Sequence, residues 1–214
     1  VTGYQWKWKY EYLNPNGDNV SFFSSLSTDK SEIYNEDPKG SNYLIEVDEP
    51  LVIPVNKKVR FLVTANDVLH AWWVPALAVK RDAIPGFINE AWTRADETGV
   101  FRGQCAELCG RDHGFMPIVV NVVEEPEYQA WLAEKQAEAA EIKQLMALQH
   151  LPGTPCEKVN DMIDAHLKIV ESRIADLQKL HADLKVLRQK CGHARPIEQC
   201  GILDELSPKS HSRN

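Results

Sequence analysis

Two cysteines, a histidine and a methionine lie within twelve residues of one another, in the segment Cys105-Ala-Glu-Leu-Cys109-Gly-Arg-Asp-His113-Gly-Phe-Met116. Thiolate and thioether sulfurs are soft donors that favour copper in its lower oxidation state, and imidazole tolerates both states. Two thiolates on one loop can bridge two metal ions, so that an electron is shared between the ions. A second histidine, His70, lies upstream. Together these residues indicate a copper site.

Two other interpretations of the same residues stay open on spacing alone. A zinc site would use both cysteines and both histidines, but it gives Met116 no role. A disulfide between Cys105 and Cys109 would explain neither histidine. The spacing favours copper over zinc, and zinc over a disulfide.

The chain has five cysteines, and the other three, Cys156, Cys191 and Cys200, form a second candidate site. A helix from about Cys156 to Lys190 would be about 50 Å long at about 1.5 Å per residue, so its two ends cannot meet. An antiparallel pair of such helices would bring Cys156 of one chain beside Cys191 and Cys200 of the other. Three thiolates suit a soft, heavy divalent metal. The alternative is three unrelated thiols, with a possible disulfide between Cys191 and Cys200.

Short strands must position the first set of residues. The run from Tyr4 to Tyr12 alternates aromatic and polar residues, which predicts one strand with an aromatic face. Asn14-Pro15-Asn16-Gly17 predicts a turn. Many short strands without intervening helices indicate a sandwich or barrel. The other expected strands are 43–47, 51–55, 59–64, 72–79, 99–104 and 117–123.

The composition changes after Glu124-Glu125-Pro126. Residues 127–149 are rich in helix-forming residues, and Leu151-Pro152-Gly153-Thr154-Pro155 should end that helix. The next helix carries a heptad seam, which predicts pairing with another helix. The seam consists of Ile163, Leu167, Val170, Ile174, Leu177, His181, Leu184, Arg188 and Cys191. We therefore expect domains at 1–126 and 151–206, a helical linker at 127–150 and a loose tail at 207–214.

Charge is unevenly distributed along the chain. The net charge is −7, but residues 1–140 contain 13 Lys+Arg and 21 Asp+Glu, a balance of −8. This acidic part argues against nucleic acid as a partner and favours a basic protein. No run of 18 apolar residues occurs, so we expect no membrane-spanning helix. Because Val1 already lies in a predicted strand, we expect that the natural N-terminus has been removed.

The first part, from Val1 to about Trp131, resembles cytochrome c oxidase subunit II. The matching segments are Tyr4 to Tyr12, Asp67-Val68-Leu69-His70-Ala71-Trp72, Asp82-Ala83-Ile84-Pro85-Gly86 and the cysteine loop itself. The resemblance implies a cupredoxin-like Greek-key β-barrel that holds a binuclear copper centre, CuA. It also implies that cytochrome c is the electron donor, that oxidase subunit I is a partner in the intact complex, and that the domain faces the periplasm.

The resemblance further implies a role for each matching residue. Cys105 and Cys109 would bridge two copper ions, and His70, His113 and Met116 would be terminal ligands. The main-chain carbonyl of Glu107 would complete the set, and its carboxylate would contact Mg²⁺ in an intact oxidase. Trp6 would receive the electron from cytochrome c. Members of the family normally begin with two membrane helices, and oxygen is reduced in a different subunit, so we expect this chain to pass electrons without reducing oxygen.

Residues 141–206 resemble the dimerisation and metal-sensing part of MerR-type regulators that respond to lead and cadmium. The matching stretches are Pro155 to Asn160, the helix from Ile163 to Arg188, Cys191 to Pro196, and Cys200 to Leu203. The resemblance implies a homodimer with two sites for lead, cadmium, mercury or zinc, each built from Cys156 of one protomer and Cys191 and Cys200 of the other. Because no winged-helix region precedes this segment, we expect no DNA binding.

The two resemblances belong to different cellular settings, since MerR-type regulators are cytoplasmic. The chain therefore has the sequence of a fusion protein, which an engineered chimera, a gene fusion and a sequence-assembly accident each explain. The primary hypothesis is a CuA electron-transfer domain that accepts electrons from cytochrome c. The alternative is a dimeric soft-metal-binding module without its DNA-binding region.

Overall fold

The computed structural model describes residues 1–13, 19–149 and 157–189. The chain divides into two compact units, Val1–Lys143 and Gln144–Asn214. The predictions for the turn at 14–17, the helix break at 151–155 and the three cysteines Cys156, Cys191 and Cys200 lie outside the described residues.

Short strands account for most of the regular structure described in the first unit. The strands are β1 (Thr2–Tyr4), β2 (Lys7–Tyr12), β3 (Val20–Ser24), β4 (Leu51–Pro54), β5 (Val59–Ala65), β6 (His70–Val74), β7 (Val79–Ala83), β8 (Asn89–Thr93), β9 (Gly99–Cys105) and β10 (Pro117–Val123). The helices of the whole described chain are α1 (Lys30–Ile33), α2 (Glu125–Gln149) and α3 (Glu157–Gln189), with 3₁₀ turns at Pro75–Leu77 and His113–Phe115.

The strands form two five-stranded sheets, which confirms the predicted β-sandwich or barrel class. One sheet has the order β3-β2-β1-β5-β8, and the other has the order β4-β10-β9-β6-β7. Two pairs, β1 with β5 and β10 with β4, are parallel, and the other described pairs are antiparallel.

The inner faces of the two sheets share one aromatic and aliphatic core. Trp8, Tyr10 and Trp72 are almost completely buried, and the ring of Phe61 packs 4.9 Å from the ring of Trp72. Burying one such large side chain stabilises the fold by about 1.5–3 kcal/mol. The alternation of buried and exposed residues in β2 follows the period of two that the sequence predicts.

Three strand predictions are wrong in detail. The predicted strand from Tyr4 to Tyr12 breaks at Gln5 and Trp6, which form the turn between β1 and β2. The predicted strand 43–47 is a turn region with one isolated bridge, Leu26 to Val47. The predicted strand 72–79 ends at Val74, because Pro75 has no N–H for the ladder and begins a 3₁₀ turn.

The start of α2 packs on the aromatic face at the edge of the first sheet. The ring of Trp131 lies 5.0 Å from the ring of Tyr12 and 6.1 Å from the ring of Phe22. Farther along the helix, Lys135 Nζ lies 2.8 Å from a carboxylate oxygen of Glu49. The helix begins two residues before the predicted position, since Pro126 is tolerated in a first turn.

In the second unit, α3 confirms the predicted long C-terminal helix. The apolar seam residues on this helix are about half exposed, which leaves an apolar stripe along it. They are Ile163, Leu167, Val170, Ile174, Leu177 and Leu184. Among the residues searched, no helix combines the length and apolar character needed to cross a membrane.

Candidate metal centre

Strand register brings His70 next to the cysteine loop. His70 begins β6, Cys105 ends β9, and the two strands pair with Trp72 opposite Cys105. The main-chain N–H of Ala106 donates to the carbonyl of Ala71 over 2.9 Å and extends this pairing. Because side chains alternate along a strand, His70, Trp72 and Cys105 all face the interior, where all three are buried.

The two cysteine sulfurs form the middle of the site. Cys105 Sγ lies 4.0 Å from Cys109 Sγ, and both cysteines are free and buried. A disulfide needs an S–S distance of about 2.05 Å, so the disulfide alternative does not describe this structure. Cys105 and Cys109, together with His70, have ligand atoms that all lie within 4.8 Å of one another.

The other predicted donors surround these sulfurs. His70 Nδ1 lies 3.9 Å from Cys105 Sγ, and His113 Nδ1 lies 3.4 Å from Cys109 Sγ. The thioether of Met116 lies 3.5 Å from Cys109 Sγ. The structure therefore brings together the two imidazoles, the two thiols and the thioether that the sequence suggested.

The remaining predicted donor, the main-chain carbonyl of Glu107, also belongs to this group. Its oxygen lies 3.4 Å from Cys105 Sγ, whereas the Glu107 side chain is exposed. Six donors of the types predicted therefore converge on one spot. Two sulfurs at the centre and four donors around them fit a pair of soft metal ions better than a single tetrahedral ion.

A carboxylate that the sequence analysis left without a role holds His70 in place. Asp67 Oδ1 lies 2.9 Å from His70 Nε2, so Nδ1, the other ring nitrogen, faces the sulfurs. Asp67 also accepts hydrogen bonds from the main-chain N–H groups of Gln5, over 2.8 Å, and Val68, over 2.7 Å. A carboxylate that orients a metal-binding imidazole is a common supporting element of metal sites. The sequence analysis placed Asp67 only within the matching segment from Asp67 to Trp72, three residues before His70, and gave it no role.

Hydrogen bonds and charges perturb the titratable groups of the site. Burial raises the pKa of Asp67, but hydrogen bonds from His70, Gln5 and Val68 outweigh burial and lower it below its ordinary value. Burial lowers the pKa of His70, but its contacts with Cys105 and Asp67 outweigh burial and raise it.

The two thiols differ in acidity. Burial raises the pKa of Cys105, but hydrogen bonds from His70 and the main chain outweigh burial and lower it. Burial and the neighbouring Cys105 raise the pKa of Cys109 to about 12. The metal-free site therefore keeps a proton on Cys109, and a metal that uses both thiolates must displace it.

Trp6 lies directly on the cysteine loop. Its indole Nε1 donates to the carbonyl of Cys109 over 3.2 Å, and the side-chain amide of Gln5 donates to the same oxygen over 2.9 Å. The guanidinium of Arg111 lies 5.7 Å from the centre of the Trp6 ring, and the indole is partly exposed. Gly110 has φ of +122° and lies beneath Gln5 and Trp6, so it permits this close approach.

Comparison with known proteins gives two family matches on separate segments. A protein-family model described as the periplasmic domain of cytochrome c oxidase subunit II matches residues 1–123. A second model, described as MerR, DNA binding, matches residues 139–187, which include most of α3. The MerR-like resemblance of the C-terminal part therefore has support only over that shorter stretch.

Curated relatives and solved structures agree with the first match. The probable cytochrome c oxidase subunit 2 of Rickettsia prowazekii is 48% identical over 139 residues, which are 65% of this chain and 42% of the relative. Cytochrome c oxidase subunit 2 of Cereibacter sphaeroides is 39% identical over 168 residues, or 72% of this chain and 53% of the relative. The chain thus spans about half the length of the curated relatives it matches.

The periplasmic domain of subunit II (CoxB) from Bradyrhizobium japonicum is 43% identical, with a TM-score of 0.56, and the match covers 64% of this chain and 91% of that one. Subunit II in a mixed disulfide with a thioredoxin-like protein is 44% identical, with a TM-score of 0.52, and covers 64% and 88%. These structures confirm the predicted cupredoxin-like fold of the first part.

Proposed function

Because the chain belongs to the cytochrome c oxidase subunit II family, through the match to residues 1–123, we propose that its first unit is a binuclear-copper electron-transfer domain. Family membership implies copper binding and a periplasmic location. The observation that carries the proposal is the convergence of six donors around two cysteine sulfurs 4.0 Å apart. When bound, a copper pair of this kind accepts and releases one electron that is shared between its two ions.

Each residue would have a defined task toward the copper ions. Cys105 and Cys109 would bridge them, and the terminal donors would be His70 through Nδ1, His113 and Met116, with the carbonyl of Glu107. The two cysteines, His70 and Met116 are almost completely buried, so the site excludes water. A rigid, dry site limits the rearrangement that accompanies electron transfer.

Trp6 would receive the electron from cytochrome c, since its partly exposed indole donates directly to the carbonyl of Cys109. The balance of −8 over residues 1–140 would attract a basic donor protein over a distance. Within an intact oxidase, subunit I would be the next acceptor, and the exposed carboxylate of Glu107 would contact Mg²⁺ at the boundary between the subunits.

A second proposal concerns the C-terminal unit. The half-exposed apolar stripe on α3 and the MerR match support an antiparallel homodimer formed through this helix. Such a dimer would pair Cys156 of one protomer with Cys191 and Cys200 of the other around lead, cadmium, mercury or zinc. We expect no DNA binding by this segment, and gel-shift titration of the full chain tests that expectation.

Copper reconstitution tests the primary proposal. The copper-loaded chain should be purple, and its electron paramagnetic resonance spectrum should show one unpaired electron shared by two equivalent copper nuclei. Cys105→Ser and Cys109→Ser should each abolish that spectrum. Cys156→Ser is the matched control, because it removes one thiol from the other cysteine set, and it should retain the spectrum. If the shared-electron spectrum persists without Cys105 or Cys109, the ligand assignment is wrong.

Metal titration tests the second proposal. Lead or cadmium should produce a thiolate absorption band that Cys156→Ser removes, in a protein that sediments as a dimer. A monomer without such a band contradicts the proposal.

A further inference from the structure

Gln5 connects three elements of the metal centre. It lies with Trp6 in the turn between β1 and β2, and its side-chain Nε2 donates to the carbonyl of Cys109 over 2.9 Å. Its main-chain N–H donates to Asp67 Oδ2 over 2.8 Å. One residue therefore reaches the cysteine loop with its side chain and the loop before β6 with its backbone.

The bonds made by Gln5 lead to both ends of the donor set. The carbonyl that its side chain holds belongs to Cys109, one of the two central sulfur donors. The carboxylate that its backbone holds is bonded in turn to His70 through Nε2, over 2.9 Å. Gln5 thus links the main chain of Cys109 to the carboxylate that orients His70.

Trp6 shares its acceptor with Gln5. The indole Nε1 of Trp6 lies 3.2 Å from the carbonyl oxygen of Cys109 that also accepts from Gln5. Gln5 is exposed and Trp6 is partly exposed, so water competes with each of these hydrogen bonds. Two donors on one oxygen therefore hold the loop beneath the ring better than one donor alone. Gly110 provides the space, since a Cβ built there would lie 3.1 Å from Gln5 Nε2 and 3.1 Å from Trp6 Cζ2.

We propose that Gln5 is a positioning residue that holds the Cys109 carbonyl in register with the Trp6 indole and with the Asp67–His70 pair. The proposal rests on the proposed function, because it takes Trp6 as the residue that receives the electron. In this role Gln5 acts through the Cys109 carbonyl and not as a metal ligand. It sets the fraction of molecules in which the indole is bonded to the loop and electron transfer is fast.

A double-mutant cycle separates this role from a general effect on folding or docking. The transfer rate from reduced cytochrome c is measured by rapid mixing on the copper-loaded full chain, at donor concentrations high enough to saturate the complex. Gln5→Ala should slow this first-order rate about fivefold, the factor expected when one hydrogen bond of ordinary net strength no longer favours the productive arrangement. In a chain that already carries Trp6→Phe, Gln5→Ala should change the rate by less than about twofold. The reason is that two substitutions that disturb the same contact do not have additive effects.

Three controls fix the interpretation. The paramagnetic resonance spectrum of Gln5→Ala should still show two equivalent copper nuclei. Its apparent affinity for cytochrome c is measured separately, so that only the rate at saturation is compared. If Gln5→Ala loses this spectrum, Gln5→Asn takes its place in the double-mutant cycle. Asn keeps the amide group, but its side chain is shorter by one methylene and holds the amide farther from the Cys109 carbonyl. Gln129→Ala, a change at an exposed residue of α2 whose amide is bonded to Glu125, is the control for unrelated surface change and should match the unmodified chain.

The outcomes distinguish this proposal from the proposed function. If Trp6→Phe leaves the rate unchanged, the role of Trp6 is wrong and the proposal for Gln5 is wrong with it. If Trp6→Phe slows transfer but Gln5→Ala does not, only the proposal for Gln5 is overturned. The proposal for Gln5 is also overturned if the rate decreases caused by Trp6→Phe and Gln5→Ala multiply in the double variant, because Gln5 would then act independently of Trp6.

Discussion

Gly3 packs its main chain directly against the ring of His70, so adding one methyl group there should disturb the metal centre. A Cβ built on Gly3 would lie 2.7 Å from Cδ2, 2.9 Å from Cγ and 3.1 Å from Cβ of His70. Carbon atoms pack best at about 3.5–4.0 Å, so the closest contact requires a displacement of about 0.8 Å. The ring cannot move freely, because Asp67 holds Nε2 and the sulfur of Cys105 lies beside Nδ1.

The size of the effect follows from two opposing contributions. Overpacking a buried site usually costs about 1–3 kcal/mol. Replacing Gly by Ala restricts the unfolded chain and returns about 0.4–1 kcal/mol of stability. Gly3→Ala should therefore lower the free energy of unfolding of the metal-free protein by about 1–2 kcal/mol. Its copper affinity should fall at least about tenfold, the usual effect of disturbing the support of a metal ligand.

Two measurements and a matched variant check this reasoning. Denaturant titration gives the free energy of unfolding, and competition with a chelator gives the copper affinity. Gly114→Ala is the control, because a Cβ there meets nothing within 4 Å although Gly114 lies in the same cysteine loop. Gly114→Ala should stay within about 0.5 kcal/mol of the unmodified chain. Equal stability and equal copper affinity in the two variants would show that β1 does not confine His70.

Four further outcomes are expected. Asp67→Asn should lower copper affinity about tenfold to a hundredfold in a chelator competition, since the orienting carboxylate of His70 is lost. Hydrogen bonds lower the pKa of Asp67 in the folded state, so its contribution to stability is present above the unfolded pKa of about 3.9 and is lost as the pH falls below that value. Denaturant titration at several pH values should therefore show that the free energy of unfolding falls less on acidification in Asp67→Asn than in the unmodified chain. The bimolecular rate of reduction by cytochrome c should fall with ionic strength, and a rate independent of salt would contradict electrostatic attraction by the acidic surface. Leu177→Lys should abolish the homodimer in sedimentation, whereas Ala175→Lys, an exposed change outside the heptad seam, should preserve it.

The sequence predicts the donors of the site better than the strands that carry them. Cys105, Cys109, His113 and Met116 are close in sequence, so their types and spacing already define a local cluster. His70 is 35 positions before Cys105, and its place depends on the register of β6 with β9. Hydrophobic periodicity does not encode that register, so the sequence joined His70 to the cysteine loop only through its residue type and through the resemblance to a known family.

Two of the strands that were missed, β7 and β8, have weak local patterns. β7 (Val79–Ala83) has three exposed charged residues in succession, and it is a strand because it pairs with β6. β8 (Asn89–Thr93) likewise depends on its pairing with β5. In contrast, 43–47 has a plausible strand composition but only one bridge pairs it with another segment. Strand propensity depends strongly on the surroundings, so these cases required tertiary information.

The supporting residues were the hardest to predict, because their roles depend on contacts rather than on residue type. Nothing in the types of Gly3 and Gln5 marks them as neighbours of a metal ligand. Gln5 belongs to the segment from Tyr4 to Tyr12, which the sequence analysis interpreted as one unbroken strand, and Gly3 lies just before that segment. The break at Gln5 and Trp6 places the indole and the amide over the cysteine loop instead of along a sheet.

The centre therefore combines two kinds of organisation that should respond differently to perturbation. The cysteine loop supplies most of the donors from one short segment, and such a segment could still bind a soft metal if the sheets were distorted. His70 contributes only when β6 pairs with β9 and β1 confines its ring. A perturbation of the sheets should thus leave metal bound to the loop but remove the equivalence of the two copper nuclei. Sharing of the electron, rather than copper content, is consequently the measurement that reports whether the fold has assembled the whole site.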